Sequence, residues 1–84
     1  MFSLVFKKQA AKYYEKSPKH IKQRLNLVYD KLTEGSLSLL DIKPLKGGFS
    51  GLFRIRMGDL RIFIKFSSRD SIDILHVSPR GDAY

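Results

Sequence analysis

An α+β fold, with an N-terminal strand and an antiparallel helical pair packed on an antiparallel-rich β-sheet, is predicted for this 84-residue chain by three features. The first is a hairpin. Two alternating runs flank Gly58-Asp59, and glycine followed by a polar residue signals a two-residue type II′ turn. The second is the helical recurrence of Ile21, Leu25, Val28 and Leu32, with Lys19, Lys22, Gln23, Asn26 and Lys31 turned outward. The third is mutual need: the helices carry an apolar stripe, the hairpin an apolar face, and each covers the other.

In chain order, residues 2–6 read as a short strand, Phe2, Leu4 and Phe6 alternating with Ser3 and Val5. Residues 7–16 read as a helix with Ala10, Tyr13 and Tyr14 on its buried side. Ser17-Pro18 then opens the second helix, Ser17 as cap and Pro18 at the first helical position, and Gly35 ends it. Residues 36–51 are less regular. Leu39, Leu40, Ile42 and Leu45 serve as anchors, and Lys46-Gly47-Gly48 and Ser50-Gly51 as turns. Lys46-Gly47-Gly48 lacks the spacing and the following helix of a phosphate loop. After the hairpin, residues 67–71 form a loop and 72–77 a further strand, which Pro79 ends before the tail 80–84. Residues 1–84 make a single domain, too small for a second core.

A two-residue loop fixes the hairpin register. Met57 opposes Leu60, Arg56 opposes Arg61, Ile55 opposes Ile62, Arg54 opposes Phe63, and Phe53 opposes Ile64. Phe53, Ile55, Met57, Leu60, Ile62 and Ile64 therefore share one wholly apolar face. Arg54, Arg56 and Arg61 share the other with Phe63 and Lys65. Like charges opposed across a ladder repel, a cost more readily accepted where an anion binds, so this face reads as a polyanion-binding surface.

Sixteen Lys and Arg against eight Asp and Glu give a net charge of +8, the balance of a protein that meets nucleic acid, an anionic surface or an acidic partner. Cysteine is absent, so no disulfide or thiolate metal site is expected, in keeping with a cytoplasmic protein. His20 and His76 lie far apart in sequence and no carboxylate cluster has metal-ligand spacing, so neither metal nor cofactor is expected. The apolar start at residues 1–6 is too short for a membrane or secretory segment and its lysines follow it. No membrane partner is expected.

The order of elements, the run Gly51-Leu52-Phe53-Arg54-Ile55-Arg56-Met57-Gly58-Asp59-Leu60-Arg61 and the ending Arg80-Gly81-Asp82-Ala83-Tyr84 resemble the RelE/ParE superfamily of bacterial and archaeal toxins over nearly the whole chain. The ending, with Arg80 four residues before Tyr84, is more similar to the RelE branch. The resemblance implies the toxin of a type II toxin–antitoxin system, a metal-free mRNA endonuclease acting on mRNA in the ribosomal A site and neutralised by an acidic antitoxin encoded beside it. It places Arg54 and Arg56 as the basic pair before the turn, Arg61 as the arginine after it, Arg80 as the C-terminal arginine and Tyr84 as the terminal tyrosine. Spacing alone is silent on Arg80 and Tyr84.

These residue types suit RNA cleavage without a metal. Attack by a 2′-hydroxyl on the adjacent phosphate builds a dianionic transition state, and planar guanidiniums bind its non-bridging oxygens bidentately. Phe63 or Tyr84 offers a ring for stacking an unpaired base, and Lys46 and Lys65 offer charge to the RNA. Many family members carry histidine directly before the C-terminal arginine; here Pro79 stands there, and Tyr84 is the candidate general acid. His76 reads as a partly buried strand histidine, and Tyr13, Tyr14 and Tyr29 as packing. Arg24, on the second helix, is expected to contribute little to the chemical step. Two other readings stand beside the endonuclease: a ParE-like non-enzymatic poison of DNA gyrase, and an RNA-binding relative without efficient catalysis, for which Pro79 is the motive.

Overall fold

The computed structural model describes residues 1–45 and 51–79. The elements are β1 (Ser3–Phe6), α1 (Lys8–Lys16), α2 (Lys19–Glu34), a 3₁₀ turn (Leu37–Leu39), β2 (Asp41–Pro44), β3 (Leu52–Met57), β4 (Leu60–Ser68) and β5 (Ser71–Pro79). Five strands form one sheet in the order β1-β5-β4-β3-β2. All pairings are antiparallel except that of β1 with β5, which makes the sheet mixed.

The hairpin takes the register its turn dictates, with Met57 opposite Leu60 and each pair back to Phe53 opposite Ile64 as expected. Gly58 has φ +57° and no other residue of the turn has positive φ, which is the type II′ pattern. Ile55, Leu60, Ile62 and Ile64 are buried against Leu25, Val28 and Leu32 of α2, Ala10 of α1, and Ile72, Ile74 and Val77 of β5. Phe53, Met57 and Ile21 pack at the margin of that core. The predicted interlock of helical stripe and hairpin face is thus the core of the molecule.

Three local expectations are corrected. Residues 41–44 form an edge strand on β3. Its four residues include only one inward half-buried apolar side chain, Ile42, so the period-2 signal is too short to read. Leu39, expected as an anchor, is 68% exposed, whereas Leu40 and Ile42 do pack on the core. Ser17 does not cap α2. It is the C-cap of α1 and its hydroxyl donates to the Tyr13 carbonyl at 2.6 Å, while Pro18 takes the N-cap position. Gly35 ends α2 at φ 83°, the left-handed conformation that glycine adopts without a Cβ penalty. Pro79 is the last residue of β5 and pairs with Leu60.

Past the end of β1, the backbone of β5 would be left open on one side. Gln9 fills that gap from α1: its amide donates to the Val77 carbonyl and accepts from the Val77 N–H, both at 2.8 Å. A side-chain amide thereby continues the ladder where β1 stops.

The seam between the helices is aromatic. Tyr29 packs edge-on against Phe6 at 5.0 Å and lies 6.3 Å from Tyr14, whose hydroxyl donates to Asn26 Oδ1 at 2.9 Å. The Tyr29 hydroxyl is buried and has no hydrogen-bond partner among the described residues. Burial first, and the neighbouring Tyr14 second, push its pKa far above the usual phenol value of 10.0. Above that pH the unfolded chain releases this proton and the folded chain does not. The stability linked to this group is therefore complete below pH 10.0 and is lost as pH rises beyond it. Tyr29→Phe is expected to raise stability at pH 7 by about 1 kcal/mol, the cost of the orphan hydroxyl, and to flatten the alkaline loss. Urea unfolding at neutral and alkaline pH checks both; a less stable variant at pH 7 would show that the hydroxyl is satisfied in solution.

Candidate nucleic-acid interface

The sheet register arranges the face away from the helices in rows. Asp41, Arg56, Arg61 and Ser78 make one row; Lys43, Arg54, Phe63 and His76 make the next; Leu52, Lys65, Asp73 and Val5 make the third. The register thus brings Arg54, Arg56, Arg61 and Lys65 together as expected, and adds Lys43 from the strand that the sequence did not reveal. Among the described residues, five cations share this face with two carboxylates, Asp41 and Asp73.

The three arginines differ in what holds them. Arg56 donates from Nε to Asp41 Oδ2 at 3.0 Å, an ion pair with both side chains well exposed. Such a pair contributes on the order of 0.2–1 kcal/mol, so it orients Arg56 without locking it. Arg61 folds back over the turn, its Nη1 donating to the carbonyls of Gly58 at 3.1 Å and Leu60 at 3.2 Å. Arg54 is half-buried between Lys43 and Phe63, and its Nε, shielded from solvent, has no hydrogen-bond partner among the described residues. A buried donor left without an acceptor is costly, and here the nearest cross-strand neighbour on one side is another cation.

Phe63 departs from expectation. It is only 3% exposed despite lying on the basic face, with its ring 6.0 Å from that of His76. A ring so enclosed packs the face and offers no platform for a base; it is a floor beside Arg54. Lys65 is exposed opposite Asp73, and Asp73 also pairs with Lys7 at 3.9 Å. His76 is half-buried, as expected of a strand histidine. Lys46, Arg80 and Tyr84, along with the Lys46-Gly47-Gly48 turn, lie outside the described residues. Among the described residues no three potential metal-ligating side chains come together, and no helix is long and apolar enough to cross a membrane.

The sequence reading missed two participants. Asp41 reaches Arg56 only because β2 pairs with β3. Arg24, on α2, donates from Nη2 to the Met57 carbonyl at 3.2 Å, directly at the hairpin turn. Helical period marks Arg24 as outside the core; only the landing point of the hairpin tip gives it a partner.

No protein-family model and no curated protein matches the sequence. Solved structures do. The RelB–RelE antitoxin–toxin complex from Methanococcus jannaschii is similar at 29% identity and TM-score 0.72, over 89% of this chain and 88% of that one. The RelBE2 toxin–antitoxin complex from Mycobacterium tuberculosis is similar at 23% identity and TM-score 0.76, over 94% of this chain and 98% of that one. The intact E. coli RelBE toxin–antitoxin complex is similar at 13% identity and TM-score 0.73, over 99% of this chain and 100% of that one. The last two comparisons speak for the fold, the first for sequence as well. With the mixed five-stranded sheet, its paired helical layer and the arginine-bearing hairpin in place, this chain has the α+β fold of the solved RelE-like toxin structures and is RelE-like in sequence and structure.

Proposed function

We propose that this chain is the toxin of a type II toxin–antitoxin pair and acts as a metal-free, ribosome-dependent mRNA endonuclease whose basic sheet face binds the scissile phosphate. The observation that carries this reading is Arg54, a half-buried cation with an orphan Nε at the centre of five clustered cations. An anionic oxygen supplies the acceptor that the described residues withhold.

In this reading the 2′-hydroxyl oxygen forms a bond to the adjacent phosphorus, the bond from phosphorus to the 5′-oxygen breaks, and a 2′,3′-cyclic phosphate and a 5′-hydroxyl result. One proton leaves the 2′-hydroxyl and one reaches the 5′-oxygen. Arg54, Arg56 and Arg61 bind the non-bridging oxygens as their charge grows, a contribution that is greatest in a water-poor site. Arg80 completes the cation set and Tyr84 donates the proton to the leaving oxygen, by residue-for-residue likeness to the family motif. Lys43, Lys46 and Lys65 hold flanking phosphates. The partner is an acidic antitoxin, in keeping with the toxin–antitoxin complexes among the structural neighbours.

Expression of the chain alone in bacteria is expected to arrest translation and leave mRNAs cut within coding regions, with 2′,3′-cyclic phosphate ends detectable by end-specific ligation. Growth arrest with intact mRNA and double-strand DNA breaks would replace this reading with that of a gyrase poison.

A further inference from the structure

The β3–β4 turn is held from two layers at once. From the outer face, Arg61 Nη1 donates to the carbonyls of Gly58 and Leu60. From the helical layer, Arg24 of α2 reaches 33 residues along the chain to the Met57 carbonyl. Gly58 meets two demands here. Its φ of +57° suits glycine, and a side chain built there would collide with the Arg24 guanidinium. The missing Cβ is the space that Arg24 occupies.

The two guanidiniums differ in fate once an anion arrives. Arg61 has two neutral carbonyls as partners, and a phosphate oxygen is a stronger acceptor than either, so anion binding draws Arg61 off the turn. Arg24 is half-buried on the other side and keeps its carbonyl. Without it, the turn would give up its only other side-chain tether among the described residues at the moment Arg61 leaves. Met57 lies next to Arg56, and Leu60 next to Arg61, so any shift of the turn moves the facing Arg56–Arg61 pair.

We propose that Arg24 is a positioning residue for the basic face: it anchors the hairpin turn to α2 so that Arg56 and Arg61 keep their spacing when Arg61 exchanges turn carbonyls for phosphate. The effect on cleavage rests on the endonuclease reading above; the effect on the two arginines does not.

The test compares Arg24→Ala, Gly58→Ala, their combination and Gly51→Ala. Gly51 has a similar positive φ of 84°, but nothing lies within 4 Å of a side chain built there, so it reproduces the strain of Gly58→Ala without the collision. The first readout is the Nε–H resonances of Arg56 and Arg61, recorded with and without a 2′-O-methyl RNA oligonucleotide. Both resonances are expected to shift and broaden in Arg24→Ala and in Gly58→Ala, and to stay near wild type in Gly51→Ala. The second is single-turnover cleavage at saturating ribosomes. It is expected to fall by about ten- to a hundredfold in Arg24→Ala and Gly58→Ala, the scale of a small misplacement of catalytic groups, with the half-saturating ribosome concentration unchanged. The double variant is expected to be no slower than either single one, since both remove the same tether.

Unmoved resonances in folded Arg24→Ala would overturn the proposal. So would a loss confined to ribosome affinity with Gly58→Ala unaffected, because Arg24 would then act by its charge alone. If the wild-type chain cuts no RNA, the endonuclease reading fails by itself and the resonances still decide the role of Arg24.

Discussion

Arg54→Ala is expected to lower single-turnover cleavage of ribosome-bound mRNA by about 10²–10³-fold, the loss typical of one transition-state donor, while leaving the protein as stable as before or more so. The two halves of this expectation have the same origin. Arg54 Nε is enclosed without an acceptor, and Lys43 opposes Arg54 across the β2–β3 ladder. Truncation removes an unsatisfied donor and a like-charge contact, which offsets the packing lost with the aliphatic stem beside Phe63. The transition state loses a donor that had no competing partner to leave. Arg61→Ala differs in sign on the stability side, because Arg61 also ties the carbonyls of Gly58 and Leu60. Urea midpoints beside the rate constants read both effects. An Arg54 variant that loses stability and activity in proportion would make Arg54 a structural residue and remove the main support for the phosphate site.

The parts of this architecture that were legible in the sequence are those set by local rules. Gly58-Asp59 fixes the register of two strands, and with it the shared face of Arg54, Arg56 and Arg61. The helical recurrence of Leu25, Val28 and Leu32 identifies the covering layer, because all three side chains are fully buried. What remained hidden depends on where distant segments land. Strand β2 is four residues long, sits at an edge and carries Pro44, so β3 specifies it more than its own pattern does. The parallel pairing of Ser3–Phe6 with β5 joins opposite ends of the chain and has no turn to announce it. Phe63 alternates onto the basic face as counted, yet its burial is a property of the folded surface and not of the alternation. Arg24 and Asp41 belong to the site only through those same long-range placements.

Association with the proposed acidic antitoxin is expected to slow by one to two orders of magnitude between low and high salt, and by a comparable factor in the Arg54→Glu, Arg61→Glu double variant at low salt. The net charge of +8 and the five cations of one sheet face supply the field, and screening or reversing it acts on encounter before contact. Dissociation is expected to respond less, because lasting affinity comes from buried apolar anchors. Phe6 and Leu27, 42% and 58% exposed, offer such surface on the helix side and the end of β1, away from the three arginines. Salt and charge reversal therefore separate the two contributions by kinetics: the association rate reports the basic face and the dissociation rate the anchor. Stopped-flow association across a salt series, with dissociation measured by competition, gives both. An association rate indifferent to salt would dismiss electrostatic capture, and a dissociation rate that rises a hundredfold in the double variant would move the main anchor onto the arginine face itself.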